Sequence, residues 1–219
     1  MLSLGRFRIL LVAALLTAAA APAFPAPPQS RAEALAQLRS PDAATRAEAI
    51  VWIANRGSMG DAPLLHERLR DESAFVRGFA EQGLWLLWGR SGDAQIDALM
   101  ARSAEEMEAD HYPEAIALLS EVIRRKPEFA EGWNRRATLY YLAGEYAKSL
   151  ADCDQVLKRN PAHFGALSGV GQIYERLEEY DQALAWFRRA LEVNPNMLGV
   201  EINMRQVEEK QKAKRRRTT

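Results

Sequence analysis

Between Ala130 and His163 the chain sets Trp133, Ala137 and Tyr140 ahead of Gly144, then Tyr146, Leu150, Leu157, Asn160 and Pro161. Thirty-four residues later the frame returns with Leu167, Gly171, Tyr174, Tyr180, Ala183, Phe187, Ala190 and Pro195. In the other direction Leu99, Ser103, Tyr112, Ala115, Leu119, Val122 and Pro127 fall into line. Each frame reads as two short helices back to back, turning at Asp110, Gly144 or Glu178 and stopped by Pro127, Pro161 or Pro195, because proline cannot continue a helix interior. Ala137 and Gly171 let the two helices approach, with Tyr140 and Tyr174 beside them. One hairpin leaves an apolar face uncovered and stacking covers it, so the period predicts an all-α, right-handed solenoid of helical hairpins.

Three in-phase units at this period resemble tetratricopeptide repeats (TPR), with units at 96–129, 130–163 and 164–197. The stripe Val200, Ile202, Met204 and Val207 resembles the helix that closes such arrays, placed at 198–209. In the first unit Arg102 and Glu106 replace the usual apolar and aromatic residues, which suggests that its first helix is partly covered by the amino-terminal half. The stretches AEGWNRRATLYYL, HFGALSGVGQIY and LWLLWGRSGDAQIDALMARS are similar to a group of bacterial exported tetratricopeptide proteins.

A weaker repeat precedes these units. LRSPDAATRAEA from Leu38 and LRDESAFVRGFA from Leu69 match at Leu38/Leu69, Arg46/Arg77 and Ala49/Ala80, an offset of 31. Leucine, a turn, then Thr-Arg or Val-Arg and an apolar helix resembles HEAT-like repeats, assigned to 31–95. Asp42 is placed to cap a helix from Ala43, and Asp71 or Ser73 one from Ala74 to Trp88. That last helix carries Phe75, Phe79, Leu84, Trp85, Leu86, Leu87 and Trp88, too apolar to stand exposed. It is expected to join the two repeat types against the first tetratricopeptide unit, with Trp85 and Trp88 as core; an exposed one of the pair becomes a docking site.

Resemblance to this family implies a concave wall built from the first helix of each unit. The residues expected to line it as a ligand groove are Asn134, Arg135, Thr138, Tyr141, Ser168, Gln172 and Glu175, with Arg176 and Glu131 beside them and Asp97, Met100, Ala104 and Glu108 in the first unit. Asn134, Gln172 and Arg135 can bond the main chain or carboxylates of an extended peptide; the bland alternative is a solvated polar face. Chaperone-binding members hold a terminal carboxylate with Lys and Asn at places occupied here by Met100, Ala104 and Arg135, so that specificity is not implied. Trp133 is expected to be a buried aromatic. The function expected is a non-enzymatic scaffold that binds another protein or peptide segment.

Charge is unevenly spread. Residues 96–197 hold 12 basic and 17 acidic side chains, whereas 198–219 hold 7 and 3. The end of the chain, with Lys210, Lys212, Lys214, Arg215, Arg216 and Arg217, is expected to be a disordered, solvated basic tail (210–219). Its second reading is contact with an anionic surface, which gives a structural or membrane-proximal alternative to the scaffold.

Arg6 and Arg8 precede an apolar run from Ile9 to Ala21, the layout of a secretory signal at 1–23 followed by a Pro-rich linker at 24–30. Thirteen helical residues span about 20 Å against about 30 Å of bilayer hydrocarbon. A cleaved signal is therefore expected, cut after Ala23 or after Ala20, and with it export to the periplasm of a Gram-negative bacterium. Nucleic acid is then not an expected partner. Cys153, the single cysteine, is expected to be buried. His66, His111 and His163 are isolated from one another and from Cys153, so neither a metal site nor a catalytic group is expected, and no cofactor.

Overall fold

The structure is a computed structural model, and it describes residues 26–218; the leader expected at 1–23 lies outside them. The described residues form helices throughout: α1 (Arg31–Gln37), α2 (Ala43–Arg56), α3 (Ala62–Arg68), α4 (Ala74–Trp88), α5 (Ala94–Glu108), α6 (Tyr112–Arg125), α7 (Ala130–Leu142), α8 (Tyr146–Arg159), α9 (Phe164–Arg176), α10 (Tyr180–Val193) and α11 (Leu198–Thr218). The chain is an α-solenoid in which each of the pairs α5/α6, α7/α8 and α9/α10 is a hairpin packed on the next.

The hairpin turns answer to the spacing. Asp110 (φ 60°), Gly144 (φ 75°) and Glu178 (φ 57°) all take the left-handed conformation that reverses the chain. Gly171 stands where α9 meets α10; a Cβ there would lie 2.6 Å from the Phe187 ring, so only glycine permits this approach. Each junction has its own apolar core: Ile96, Met100, Leu119, Phe129 and Leu139 in the first, Ala137, Cys153, Val170 and Ile173 in the second, Phe187, Val200 and Val207 in the last. Cys153 is a buried free thiol, pushed up to about 12 by burial and by the neighbouring Asp152 charge.

In the amino-terminal half Asp42 caps α2 by accepting from the Thr45 N–H at 2.7 Å. Arg46 is buried and grips Asp71 in a fork at 2.9 and 2.7 Å while also donating to the Ser40 and Pro41 carbonyls. Arg77, its partner in the repeat, donates to the Asp71 and Glu72 carbonyls in the same way, but its third contact is Asn196 Oδ1 at 2.8 Å, beyond the end of α10. Arg70 reaches the Glu192 and Val193 carbonyls, and Asn196 donates to the Leu69 carbonyl at 2.7 Å.

These contacts correct the expected joint. The core of α1–α4 takes in Phe164 and packs against Val193 and Met197, so α4 meets the third hairpin pair rather than the first. The core of α5 is made by α6 and α7 residues, and Arg102 on α5 is exposed. The amino-terminal half thus folds back across the array. The two tryptophans of α4 divide: Trp88 is 3% exposed, and Trp85 is 37% exposed with its ring edge over Gly165. Only Trp88 is core in the expected sense.

A second correction concerns the end of the chain. Helix α11 runs unbroken through Thr218, so residues from Lys210 on form its last turns instead of a disordered tail. Lysine and arginine are good helix formers. Lys210 pairs with Glu175 at 2.7 Å, Lys214 with Glu178 at 3.1 Å and Arg215 with Asp181 at 3.7 Å, which draws the basic end onto the last hairpin turn.

Candidate functional site

The helices α5, α7, α9 and α11 stand side by side, and a trough of three cavities crosses them. The first, about 220 Å³, lies between α5 and α7; its floor is Leu119 and Leu139, and its walls include Ala104, Met107, Asn134, Arg135 and Thr138. The second, about 230 Å³, lies between α7 and α9 above Ser149 and Cys153, walled by Ala137, Gly165, Ala166, Gly169 and Ile173. The third, about 660 Å³, lies between α9 and α11 and is lined by Tyr141, Gln172, Glu175, Arg176, Asn203, Gln206 and Lys210 among others. Asn134 and Thr138 border the first two cavities, and Tyr141 and Gln172 the second and third, so the three lie in a row along one trough, divided by these side chains.

Small residues make the second cavity. Gly165 and Gly169 are one turn apart on α9, and a Cβ on Gly169 would meet nothing within 4 Å. The first two cavities have apolar floors and polar rims, the arrangement that holds apolar side chains while bonding a main chain. The third is polar and charged.

Of the expected groove residues, Asn134, Arg135, Thr138, Tyr141, Gln172 and Glu175 line the trough. Ser168 does not: it is 4% exposed and turned into the protein, its hydroxyl 3.5 Å from the Gln172 amide nitrogen. In the first unit Ala104 lines the trough, but Met100 is core at 4% exposure, and Asp97 accepts from the Ser91 hydroxyl at 2.5 Å. Trp133 is only half-buried; its ring lies between the guanidiniums of Arg136 (5.2 Å) and Arg159 (4.9 Å), and its N–H donates to the Pro127 carbonyl. Asn203, Gln206 and Lys210 were not anticipated. They stand 34 residues after Gly169, Gln172 and Arg176, so extending the period by one helix would have found them.

Carboxylates of the trough are deeper than their cations. Glu131 is 7% exposed and engages Asn134 at 3.1 Å, Arg135 at 3.2 Å and buried His163 at 3.3 Å. The Glu175 side chain is 16% exposed beneath the 53% exposed Lys210. Burial cannot leave a carboxylate unpaired, so each is covered by its partner. Among the described residues no three His, Cys, Asp or Glu side chains gather as metal ligands, and no helix is long and apolar enough to cross a membrane.

Comparison with known proteins gives the following. The family model for the tetratricopeptide repeat matches residues 130–163 and 165–197. A TPR repeat-containing protein of Rhizobium etli is 33% identical over 114 residues, 48% of this chain and 54% of that protein, so the chain spans about half the length of this curated relative. Among solved structures, the first TPR of Spaghetti (RPAP3) bound to the HSP90 peptide SRMEEVD aligns with a TM-score of 0.51 at 22% identity, over 53% of this chain and 94% of that one. The TPR2B domain of yeast Sti1 in complex with pHsp70 aligns with a TM-score of 0.51 at 20% identity, over 54% of this chain and 99% of that one. The hairpins α7/α8 and α9/α10, which supply most of the trough, are therefore the segments that match the tetratricopeptide repeat.

Proposed function

We propose that this protein is a non-enzymatic interaction scaffold of the bacterial cell envelope that holds a segment of another protein in the trough across α5, α7, α9 and α11. The observation that carries this reading is the pair of apolar-floored cavities divided by the Asn134–Thr138 ridge. An extended polypeptide can set side chains into them while its main chain bonds Asn134 and Gln172. The similar folds bound to an HSP90 peptide and in complex with pHsp70 support the mode of binding, and the leader-like residues 1–23 support export to the periplasm. The repeated Arg46 and Arg77 contacts favour a HEAT-like amino-terminal half whose part is to brace the array. Pairing of Lys210, Lys214 and Arg215 with Glu175, Glu178 and Asp181 favours the trough over the basic end as the recognition surface.

The test is site-specific photocrosslinking in the native cell. A photoreactive residue at Thr138 should give a discrete adduct of higher mass, whereas one at exposed Arg188 on α10 should give none. Equal labelling at both positions, or none at Thr138, overturns the reading. Mass spectrometry of the purified native protein should find an amino terminus near residue 21 or 24.

A further inference from the structure

We propose that the third cavity selects an acidic side chain, so that the bound segment carries two apolar residues three apart and a carboxylate about three residues beyond them. This deepens the trough reading and rests on it.

The carrier is Arg176. Its Nε donates to the Tyr141 hydroxyl at 3.0 Å, and the guanidinium lies 5.9 Å from that ring, which fixes the fork at the border of the second and third cavities. Every other cation of the trough has a carboxylate: Arg135 has Glu131 and Lys210 has Glu175. Among the described residues no carboxylate is ion-paired with Arg176, and the side chain is exposed. Glu175 and Glu178 line the same cavity, but each is paired with a lysine of α11, Lys210 and Lys214, so the terminal nitrogens of Arg176 are the fork that the fold positions without an ion pair of its own, and a guanidinium binds a carboxylate through two parallel bonds. Asn203 and Gln206 of α11 line the same cavity and supply amide donors opposite.

Spacing follows from the helices. Packed helix axes lie about 8–10 Å apart, and a chain in the polyproline II conformation advances about 3.1 Å per residue with every third side chain on the same face, so each cavity is reached about three residues after the last. The third cavity, roughly three times the volume of either neighbour, leaves room for the chain to run on past the bound side chain. A side-chain carboxylate is thus favoured over a chain terminus.

The experiment pans the full chain against a random peptide library whose members are acetylated and amidated, so that any carboxylate is a side chain. Enriched sequences should share apolar residues at i and i+3 with Asp or Glu near i+6 or i−3. A fluorescent peptide of that sequence and its Asp→Asn or Glu→Gln copy are then titrated by anisotropy against wild type, Arg176→Gln and Gly169→Leu. Wild type should prefer the acidic peptide by about tenfold, the worth of one charge-assisted fork. In Arg176→Gln that preference should vanish, with the neutral copy bound as before. Preference that survives Arg176→Gln, or enriched peptides without an acid, overturns this proposal and leaves the trough reading standing. Binding unaffected by the plug at Gly169, or no enriched sequence from either the amidated or a free-acid library, overturns both.

Discussion

The imidazole of His163 lies against the indole of Trp88 with ring centroids 4.4 Å apart and planes 24° from parallel. The same imidazole accepts the Ala166 N–H through Nδ1 and faces Glu131 through Nε2, so one side chain caps α9, touches α7 and meets α4. Replacing Trp88 with alanine should therefore open the contact between the two halves and cost about 3–5 kcal/mol, as for a buried aromatic. Leu86→Ser, two residues earlier on the exposed face of α4, should change stability by less than about 0.5 kcal/mol. Urea unfolding of both variants checks the contrast.

Two glycines of α9 should behave oppositely. Gly169→Ala places a methyl in open space and removes a glycine from a helix interior, so it should stabilise by about 0.5–1 kcal/mol. Gly171→Ala drives a methyl into Phe187 and should destabilise by about 1–3 kcal/mol. Melting temperatures on either side of wild type are the expected result.

The turn positions give a third contrast. Asp110 and Glu178 hold left-handed conformations that glycine adopts without strain, so glycine at either should raise stability by about 1 kcal/mol, and Gly144→Ala should lower it by about as much. Chemical denaturation midpoints with unchanged slopes are the measure.

Acid stability should depend on Asp71. Burial pushes its carboxyl up, but the Arg46 fork and the Ser73 N–H outweigh burial and hold it below the usual carboxylate range. A carboxyl held below its unfolded value of about 3.9 stabilises the fold above that pH. The contribution is lost as pH falls through the folded-state value. Wild-type melting temperature should drop below about pH 4, and Asp71→Asn should flatten this acid limb while melting lower at neutral pH. Arg46→Met, which leaves buried Asp71 with only the longer Arg68 contact at 3.7 Å, should cost about 3 kcal/mol.

Cys153 should be inert in the folded protein. Its thiol is 3% exposed and pushed up to about 12, so alkylation at pH 8 should be negligible until denaturant exposes it. Rapid labelling of the native chain would contradict a buried thiol at the floor of the second cavity.

Elements whose reason is local were legible in the sequence. The turns at Asp110, Gly144 and Glu178 recur because every hairpin has the same reversal, and Gly171 marks a close approach inside one repeat. The fold-back was not legible, since Arg77 meets Asn196 through polar atoms 119 residues apart, and neither position breaks its own repeat pattern. Met100 and Ser168 were misplaced for a geometric reason. Both sit on the side of their helix that turns toward the core, a rotation that spacing alone does not resolve. Continuation of α11 past Lys210 depends on Glu175, Glu178 and Asp181, which lie in the preceding hairpin and its turn.

A row of hairpins held only by nearest neighbours bends like a spring, each junction yielding a little. Here the bonds of Arg70 to the last residues of α10 and of Arg77 to Asn196 just beyond it tie the beginning of the row to its end. Flexing any one junction then strains the tie, and the curvature of the inner wall is set once, at folding, for whatever it receives.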